Sequence, residues 1–511
     1  MPTQKLVKAL EALQRLQVNG RRVFRSTEFT AADRRLLLLA GFLQPVLRGW
    51  VISASPETRE GDTTPWYASF WEFCARYCTS RFGDRWYLSA EQSLLLWSES
   101  AAIPPQVVVY SPAGMNNTLA LPSGTSLLDM KVFQMPGPRD LVERDGLWIY
   151  TREAGLVNVP AGFFTRNAVA AQVVLSGIRD GSEILSRLLE GGHTVVAGRL
   201  AGAFRRIDSI EIADDIVATM KAAGHEVREV DPFDPEHERS FPQIGPNTPA
   251  IVGRLRALWS RMRAAVLEAM PEPPGLPSDG AAYLRAVDEI YRSDAYHSLS
   301  IEGYRVTSDL IERVRTGAWD PMANERDRAD GNALAARGYW QAFERVKADV
   351  ARVLAGEPGA GIVRRTHRDW YREMFQPCVV AGIIPASALA GYRHEPVYLR
   401  GSRYVPPRWE AVRDAMPAMF DLLEAEAEPA VRAVLGHWLF GYIHPYPDGN
   451  GRMARFLMNV MLATGGYPWT VVRIEERDQY LAALDRASVD GEIGPFAGLI
   501  AGSVRRAISG G

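Results

Sequence analysis

His444-Pro445-Tyr446-Pro447-Asp448-Gly449-Asn450-Gly451-Arg452, with Arg455 three positions further on, sets a base, a hard oxygen ligand, two glycines, an amide and two arginines into twelve residues. Before this run, Val431, Leu435, Trp438 and Tyr442 are spaced by four, three and four. That is an apolar helical stripe, and Pro429 suits its first turn. After it, Met453, Leu457, Val460 and Thr464 repeat the helical period until Gly465-Gly466 stops it. The pattern predicts a helix, a glycine loop and a second helix. Unpaired backbone N–H groups at the start of that second helix make an anion site, and Gly449 and Gly451 let the backbone approach closely. Arg452 and Arg455 share one helical face, where two guanidinium forks can hold different phosphate groups. Asp448 is the oxygen donor that suits magnesium. His444 is the group able to take a proton near neutral pH.

These residues resemble the Fic motif, His-x-Phe-x-(Asp/Glu)-Gly-Asn-Gly-Arg with a second arginine three positions later. Tyr446 stands where that motif has phenylalanine, a similar ring expected to pack inward. The resemblance implies transfer of AMP from ATP to a side-chain hydroxyl of a target protein. It makes His444 the general base and Asp448 the Mg²⁺ ligand. Asn450, the amides of Gly449 and Gly451, and Arg452 would cradle the α- and β-phosphates, and Arg455 the γ-phosphate. Tyr480, in Arg477-Asp478-Gln479-Tyr480-Leu481, falls where the family often has a tyrosine near the nucleotide base; a core tyrosine is the alternative.

Two upstream segments extend the likeness. Val397-Tyr398-Leu399 and Tyr404-Val405 flank Arg400-Gly401-Ser402-Arg403, strand formers around a Gly-Ser turn that predict a hairpin. It is similar to the family's flap, which offers a strand edge to an extended target segment through Val397, Tyr398, Leu399, Gly401 and Ser402; an ordinary surface hairpin is the plainer reading. Ser298-Leu299-Ser300-Ile301-Glu302-Gly303 is similar to the family's inhibitory motif, (Ser/Thr)-x-x-x-Glu-(Gly/Asn). Leu284, Val287 and Tyr291 before it carry helical spacing, so Glu302 is expected on or near a helix end. The resemblance pairs Glu302 with Arg455, displacing the phosphate that Arg455 would otherwise bind.

Composition sets outer bounds. A chain of 511 residues with 47% apolar and 23% charged content predicts two to four domains with ample cores. The net charge of −2 argues against a globally basic nucleic-acid binder while leaving room for a local patch. Three cysteines, Cys74, Cys78 and Cys378, are too few for a disulfide framework and point to a reducing compartment. Cys74 and Cys78 lie in a helical run with no nearby histidine and are expected to be buried. The absence of a long apolar run and of a signal-peptide core predicts no membrane association and a cytoplasmic protein. His437 precedes His444 by seven residues, about two helical turns or roughly 10 Å, too far to share one ion. It is expected to pack in the core.

The N-terminal half is read from its periodicity. Residues 4–18 carry Leu6, Leu10, Leu13 and Leu16, Ser26 and Thr27 open a second helix, and Thr30 a third that ends at Gly41. Gln44 to Ile52 predicts a strand pair around Arg48-Gly49, completing the outline of a winged helix. Residues 1–60 hold ten Lys/Arg against five acids, an excess of +5 that suits phosphate contacts with promoter DNA, with Arg34 and Arg35 on the recognition helix and Arg48 in the wing. A small helical docking module with a solvated basic face is the alternative. The strand and helix patterns of Trp86 to Ser89, Gln92 to Trp97 and Gln106 to Tyr110 resemble AbiEi-type antitoxins, which join a winged helix to an α/β domain. Ile212, Ile216 and Met220 give a helix ended by Gly224, and Glu226 to Val230 a strand. A Pro/Asp/Glu/Gly-rich linker follows at 231–250.

The expected fold is therefore multidomain α+β. It has a winged-helix-like domain (1–60), an AbiEi-like α/β domain (61–235), a linker with a leading helix (236–280) and an all-α Fic domain with inhibitory helix and β-hairpin flap (281–511). The expected function is autoinhibited AMP transfer from Mg-ATP to a Ser, Thr or Tyr hydroxyl. Removal of AMP by the same fold, and a DNA-binding toxin–antitoxin-type regulator with a sensing Fic part, are the alternatives. Homodimerisation, common among such proteins, would suit a winged helix.

Overall fold

The computed structural model describes residues 4–58, 61–233, 242–319 and 330–509. The chain forms two compact units, Met1–Ala250 with Tyr398–Val405, and Ile251–Val397 with Pro406–Gly511. The linker expected at 231–250 lies partly outside the described residues.

The first unit opens with helix Gln4–Leu16, strand Val23–Arg25 and helix Ala31–Leu39. The Thr30 hydroxyl caps the last of these by accepting the Asp33 N–H, as expected of a threonine at a helix start. Strands Leu43–Leu47 and Trp50–Ser53 turn at Gly49, whose φ of +88° favours glycine, and Trp50–Ser53 is the middle of a three-stranded antiparallel sheet. Leu13, Phe24, Leu37, Leu43 and Val51 make a small core between helices and sheet. Ser26–Glu28 forms a single 3₁₀ turn rather than the expected helix. Arg34 lies on helix Ala31–Leu39, where the recognition helix was expected, and donates to the Ser26 carbonyl at 2.8 Å.

Helix Thr64–Phe82 follows, burying Trp66, Phe70, Phe73, Cys74 and Cys78. It covers a four-stranded sheet in the order Tyr87–Leu88, Gln106–Ser111, Ser126–Lys131, Asn117–Ala120, whose two central strands are parallel. Helices between Arg152 and Ala222 close the unit around Leu156, Phe164, Leu175, Leu200 and Phe204. Residues Glu226 to Val230, expected as a strand, join no sheet. They lie extended along helix Thr194–Arg206, where Gly198 and Gly202 leave a groove. A Cβ at either glycine would meet the carbonyl of Arg228 at 1.9 Å or of Val230 at 2.2 Å, and Val230 N–H donates to the Gly198 carbonyl.

The hairpin expected at 397–405 also differs. Its turn is present, with Gly401 at φ +78° and Ser402 N–H donating to the Leu399 carbonyl, but no ladder joins its two arms. Tyr404 forms its β-bridge with Ala102 instead.

The second unit is helical. Helix Pro429–Ile443 is apolar on nearly all sides, and in helix Asn450–Ala463 every residue except Gly451 is buried. A helix of this kind belongs at the centre of a bundle. Around the pair stand Ala250–Ala269, Gly280–Ile301, Gly331–Leu354, Gly359–Val380, Val412–Ala425, Arg477–Val489 and Gly494–Ile508. Polar bonds fix the packing where side chains alone would let helices slide. Arg254 donates to the Tyr442 hydroxyl at 2.8 Å, and Arg263 grips Glu426 with two bonds at 2.9 and 3.0 Å. Helix Ala250–Ala269, expected among linker residues, is thus built into this unit. No helix among the described residues is long and apolar enough to cross a membrane.

Candidate active site

The glycine loop joins the two central helices. His444 ends helix Pro429–Ile443 in the left-handed conformation, φ +51°, its N–H donating to the Phe440 carbonyl and its Nδ1 3.3 Å from the Gly441 carbonyl. Burial pushes its pKa down to about 4, opposed by the Gly441 carbonyl and reinforced by the Arg393 charge. The imidazole is therefore neutral, and able to accept a proton, throughout the physiological range.

Tyr446 is fully buried and stacks on Tyr371 with ring centres 3.9 Å apart, which fixes the loop as an inward-facing ring was expected to. Asn450 braces the same loop. Its Oδ1 accepts the Tyr446 N–H at 3.0 Å and its Nδ2 donates to the Tyr446 carbonyl at 2.8 Å. The side chain expected to cradle phosphate is thus spent on the loop, leaving the backbone for an anion. Gly449 caps the second helix at φ +79°, and a Cβ there would meet the Phe375 ring at 2.7 Å. Asp448 is 62% exposed in its side chain, and its Oδ1 accepts the Gly449 N–H.

Both arginines are buried. Arg452 lies between the rings of Tyr304 and Phe375, each 5.2 Å away, with one Nη 3.4 Å from Asp448 Oδ2; its Nε has no partner. A buried guanidinium N–H left without an acceptor suits an anionic ligand. Arg455 is fully engaged. Its Nε donates to Ser298 Oγ at 2.9 Å, and Nη2 donates to the Ser298 carbonyl at 3.1 Å and to Glu302 Oε1 at 2.7 Å. Burial alone would raise the Glu302 pKa; Arg455 and then Arg452 outweigh it and hold the carboxyl below its ordinary value. The glutamate stays ionised.

Glu302 follows helix Gly280–Ile301, and Gly303, at φ +91°, lets the chain turn away. Arg477 fastens this helix end by donating to the Ile301 carbonyl at 2.8 Å. The Glu302 carboxylate also lies against the first turn of the motif helix, for a Cβ at Gly451 would sit 2.3 Å from its Oε1. One carboxylate therefore occupies both the arginine and the helix start. Gly451→Ala should evict it and fill the space an anion needs. Triphosphate binding, measured with ATP by calorimetry, should be at least tenfold weaker than in Glu302→Gly, in line with steric loss of one charged contact.

Tyr480 occupies the place of a core residue. It is 2% exposed, its hydroxyl 2.7 Å from His437 Nε2 and 3.5 Å from Arg455 Nη1, so it backs the arginine rather than facing a base. Several positioning groups carry no sequence signal. Arg393 donates to the His444 carbonyl at 2.8 Å and reaches that of Ile443, and Asp294, buried behind Ser298, accepts from Tyr339. Arg393 comes from irregular chain after Ala386–Leu389, and Asp294 from helix Gly280–Ile301 itself. Tyr398, Leu399, Gly401 and Ser402 lie in the turn segment that belongs to the first unit, and Val397 is the residue that leads into it.

The buried titratable groups of this unit give a stability prediction. Burial pushes His367 down to about 4 and His437 down to about 3, against an ordinary value of 6.5. Below pH 6.5 the unfolded chain binds protons that the folded chain refuses, so this stability is complete above pH 6.5 and is lost as pH falls. Asp294 works oppositely, because burial raises it to about 6 and acidification relieves it. At pH 5 these two histidines and His444 cost about 2 kcal/mol each and Asp294 returns about 1 kcal/mol. The second unit should be roughly 4–5 kcal/mol less stable at pH 5 than at pH 7. Denaturant unfolding of the full chain at both pH values checks this, and equal midpoints would contradict it.

Residues 361–462, which contain the loop and both central helices, match the model of the Fic/DOC family. The chain carries a Fic domain. Among relatives, a protein adenylyltransferase Fic of Nematostella vectensis is 28% identical over 241 residues, 46% of this chain and 51% of that one. Another of that name, from Drosophila willistoni, is 29% identical over 229 residues, 43% of this chain and 41% of the relative. The protein adenylyltransferase fic-1 of Caenorhabditis briggsae is 33% identical over 103 residues, 19% of this chain and 20% of the relative. The chain spans about half the length, or less, of these curated relatives. Solved structures that align with it include Fic-1 of C. elegans (TM-score 0.36, 19% identity, 67% of this chain and 98% of that one). A Fic-domain-containing signaling protein of Bacteroides thetaiotaomicron also aligns (TM-score 0.35, 19% identity, 49% of this chain and 94% of that one).

Proposed function

We propose that the chain is an autoinhibited protein adenylyltransferase that moves AMP from Mg-ATP to a Ser, Thr or Tyr hydroxyl of a target protein and releases pyrophosphate. The observation that carries this reading is the ionised Glu302 on Arg455 at 2.7 Å, set against the glycine-flanked start of the motif helix. A negative group already sits where a terminal phosphate would, beside an arginine N–H still lacking an acceptor.

In the reaction, the target hydroxyl oxygen bonds to the α-phosphorus as the bond from that phosphorus to the bridging oxygen breaks. His444 takes the hydroxyl proton, and pyrophosphate carries off the bond's electron pair. Arg452, buried between two rings, and the N–H groups of the first helical turn balance the charge on the phosphates. Arg455 would hold the γ-phosphate once Glu302 has left. Asp448 is a single accessible carboxylate, the donor chemistry that holds magnesium together with substrate phosphates. A bound Mg²⁺ would neutralise phosphate charge there. ATP bound while Glu302 remains in place would have its γ-phosphate repelled and its α-phosphate turned from the line of attack.

The test is incubation of parent, Glu302→Gly and His444→Asn proteins with α-labelled ATP, followed by gel separation and pyrophosphate assay. Label in a protein band and stoichiometric pyrophosphate with Glu302→Gly are expected. No labelled protein from any form would end the proposal.

A further inference from the structure

His444 closes its helix at φ +51°, a backbone conformation that suits glycine and in which a histidine has to be held. Arg393, 3% exposed, supplies the hold. Its backbone N–H donates to the Pro445 carbonyl at 2.9 Å, its Nε to the His444 carbonyl at 2.8 Å, and one Nη to the Ile443 carbonyl at 3.4 Å. Three successive carbonyls of the turn are thus tied to one residue. The same guanidinium donates to the carbonyls of Glu395 and Pro407, which set its plane from the other side. A rigid fork of donors can bridge carbonyls that point in different directions, whereas a lysine ammonium on a flexible stem cannot fix that geometry. The arginine charge also faces the negative end of the helix dipole.

Tyr392 completes the grip. Its ring lies 5.5 Å from that of Tyr446, the ring that stacks on Tyr371. Its hydroxyl is 2.9 Å from His367 Nε2. His367 Nδ1 lies 3.0 Å from the Val363 carbonyl and 3.1 Å from that of Arg364, so Nδ1 carries the ring proton and Nε2 accepts from the tyrosine. Two adjacent residues therefore fasten the loop by its carbonyls and by its inward ring, and His367 moors them to helix Gly359–Val380. Arg452 and Arg455 are held by a different set of groups, Tyr304 and Phe375 for one, Ser298 and Glu302 for the other. We infer that Tyr392 and Arg393 are positioning residues for the His444 base. They keep its backbone in the turn from which the imidazole takes the acceptor's proton, and they act on turnover rather than on nucleotide binding. The inference deepens the transferase reading above and rests on it.

Arg393→Lys, Arg393→Gln and Tyr392→Phe, each made in full-length Glu302→Gly protein, test it with α-labelled ATP as donor and β-casein as a hydroxyl-bearing probe. Either Arg393 variant should slow labelling at saturating ATP roughly 10- to 100-fold, the cost of a misplaced catalytic group, while the ATP concentration for half-maximal rate stays within about threefold. Tyr392→Phe keeps the ring and drops the bond to His367, and should slow labelling about three- to tenfold. Added to His444→Asn, the same substitutions should change the residual rate by less than about threefold, because the group they position is gone. Losses of equal size with and without His444 overturn the inference, as does an Arg393→Lys rate within about threefold of its parent. If neither Arg393 variant folds, an unchanged rate in Tyr392→Phe overturns it. Failure of Glu302→Gly itself to label any protein removes the transferase reading as well, whereas labelling that is indifferent to Tyr392 and Arg393 removes this inference alone.

Discussion

Glu302→Gly should transfer label from α-labelled ATP roughly 10- to 100-fold faster than the parent, the span of a charge-assisted hydrogen bond worth about 1.5–3 kcal/mol. The direction follows from what Arg455 does in the two proteins. In the parent, its guanidinium is 4% exposed and saturated by Ser298 and Glu302, with the Tyr480 hydroxyl behind it. Without the carboxylate, Ser298 still aims the arginine, but nothing balances its charge. Two further results should accompany the gain. The variant should be about 1–3 kcal/mol less stable, because a buried cation has lost its partner. Mg-ATP should then raise its unfolding temperature more than the parent's, since phosphate restores what was removed. Glu302→Gln, which keeps the shape and drops the charge, should lie between the two. Initial labelling rates and thermal unfolding with and without nucleotide decide the matter, and a rate equal to the parent's would leave Glu302 without an inhibitory role.

The central helices and the loop between them were legible because the signal was local. The apolar spacing from Val431 to Tyr442 and from Met453 to Val460, with glycine at 449, specifies two buried helices and the turn between them whatever the rest of the chain does. The placement of Glu302 was legible too, since a helix must end where Gly303 takes a positive φ. What surrounds these residues was not. Tyr371 under Tyr446, Tyr304 and Phe375 around Arg452, and Arg393 on the loop carbonyls come from elsewhere in the chain, and no periodicity encodes which ring meets which. Asn450 and Tyr480 show the same limit from the other side. Their residue types permit ligand contacts, but bonds across the loop to Tyr446, and tertiary bonds to His437 and Arg455, claim their polar atoms. The segments at 226–230 and 397–405 have strand-forming composition without strand pairing within themselves. Local β propensity states a preference for extended backbone and leaves the partner to packing, which supplied a glycine groove for one and Ala101–Ile103 for the other.

His444→Asn, in the Glu302→Gly background, should slow transfer by about 10²–10⁴-fold, the usual worth of a positioned general base. ATP affinity should change little, because the arginines and the helix start are untouched. Asparagine is a better probe than alanine here. The residue sits at φ +51°, where asparagine is tolerated and alanine would add about 1 kcal/mol of backbone strain that could be mistaken for catalysis. The pH profile gives a second, independent reading. Because burial holds the imidazole down to about 4, it is unprotonated well into the acid range. Transfer by Glu302→Gly should therefore stay level from pH 8 to about 5.5 and fall only as the ring begins to accept protons from solvent, toward pH 4. A histidine at its ordinary 6.5 would already have lost half its activity near that pH. A profile with its midpoint near 6.5 would place the base in a more solvated setting than the loop provides. A His444→Asn rate within tenfold of its parent would assign the proton to another group altogether.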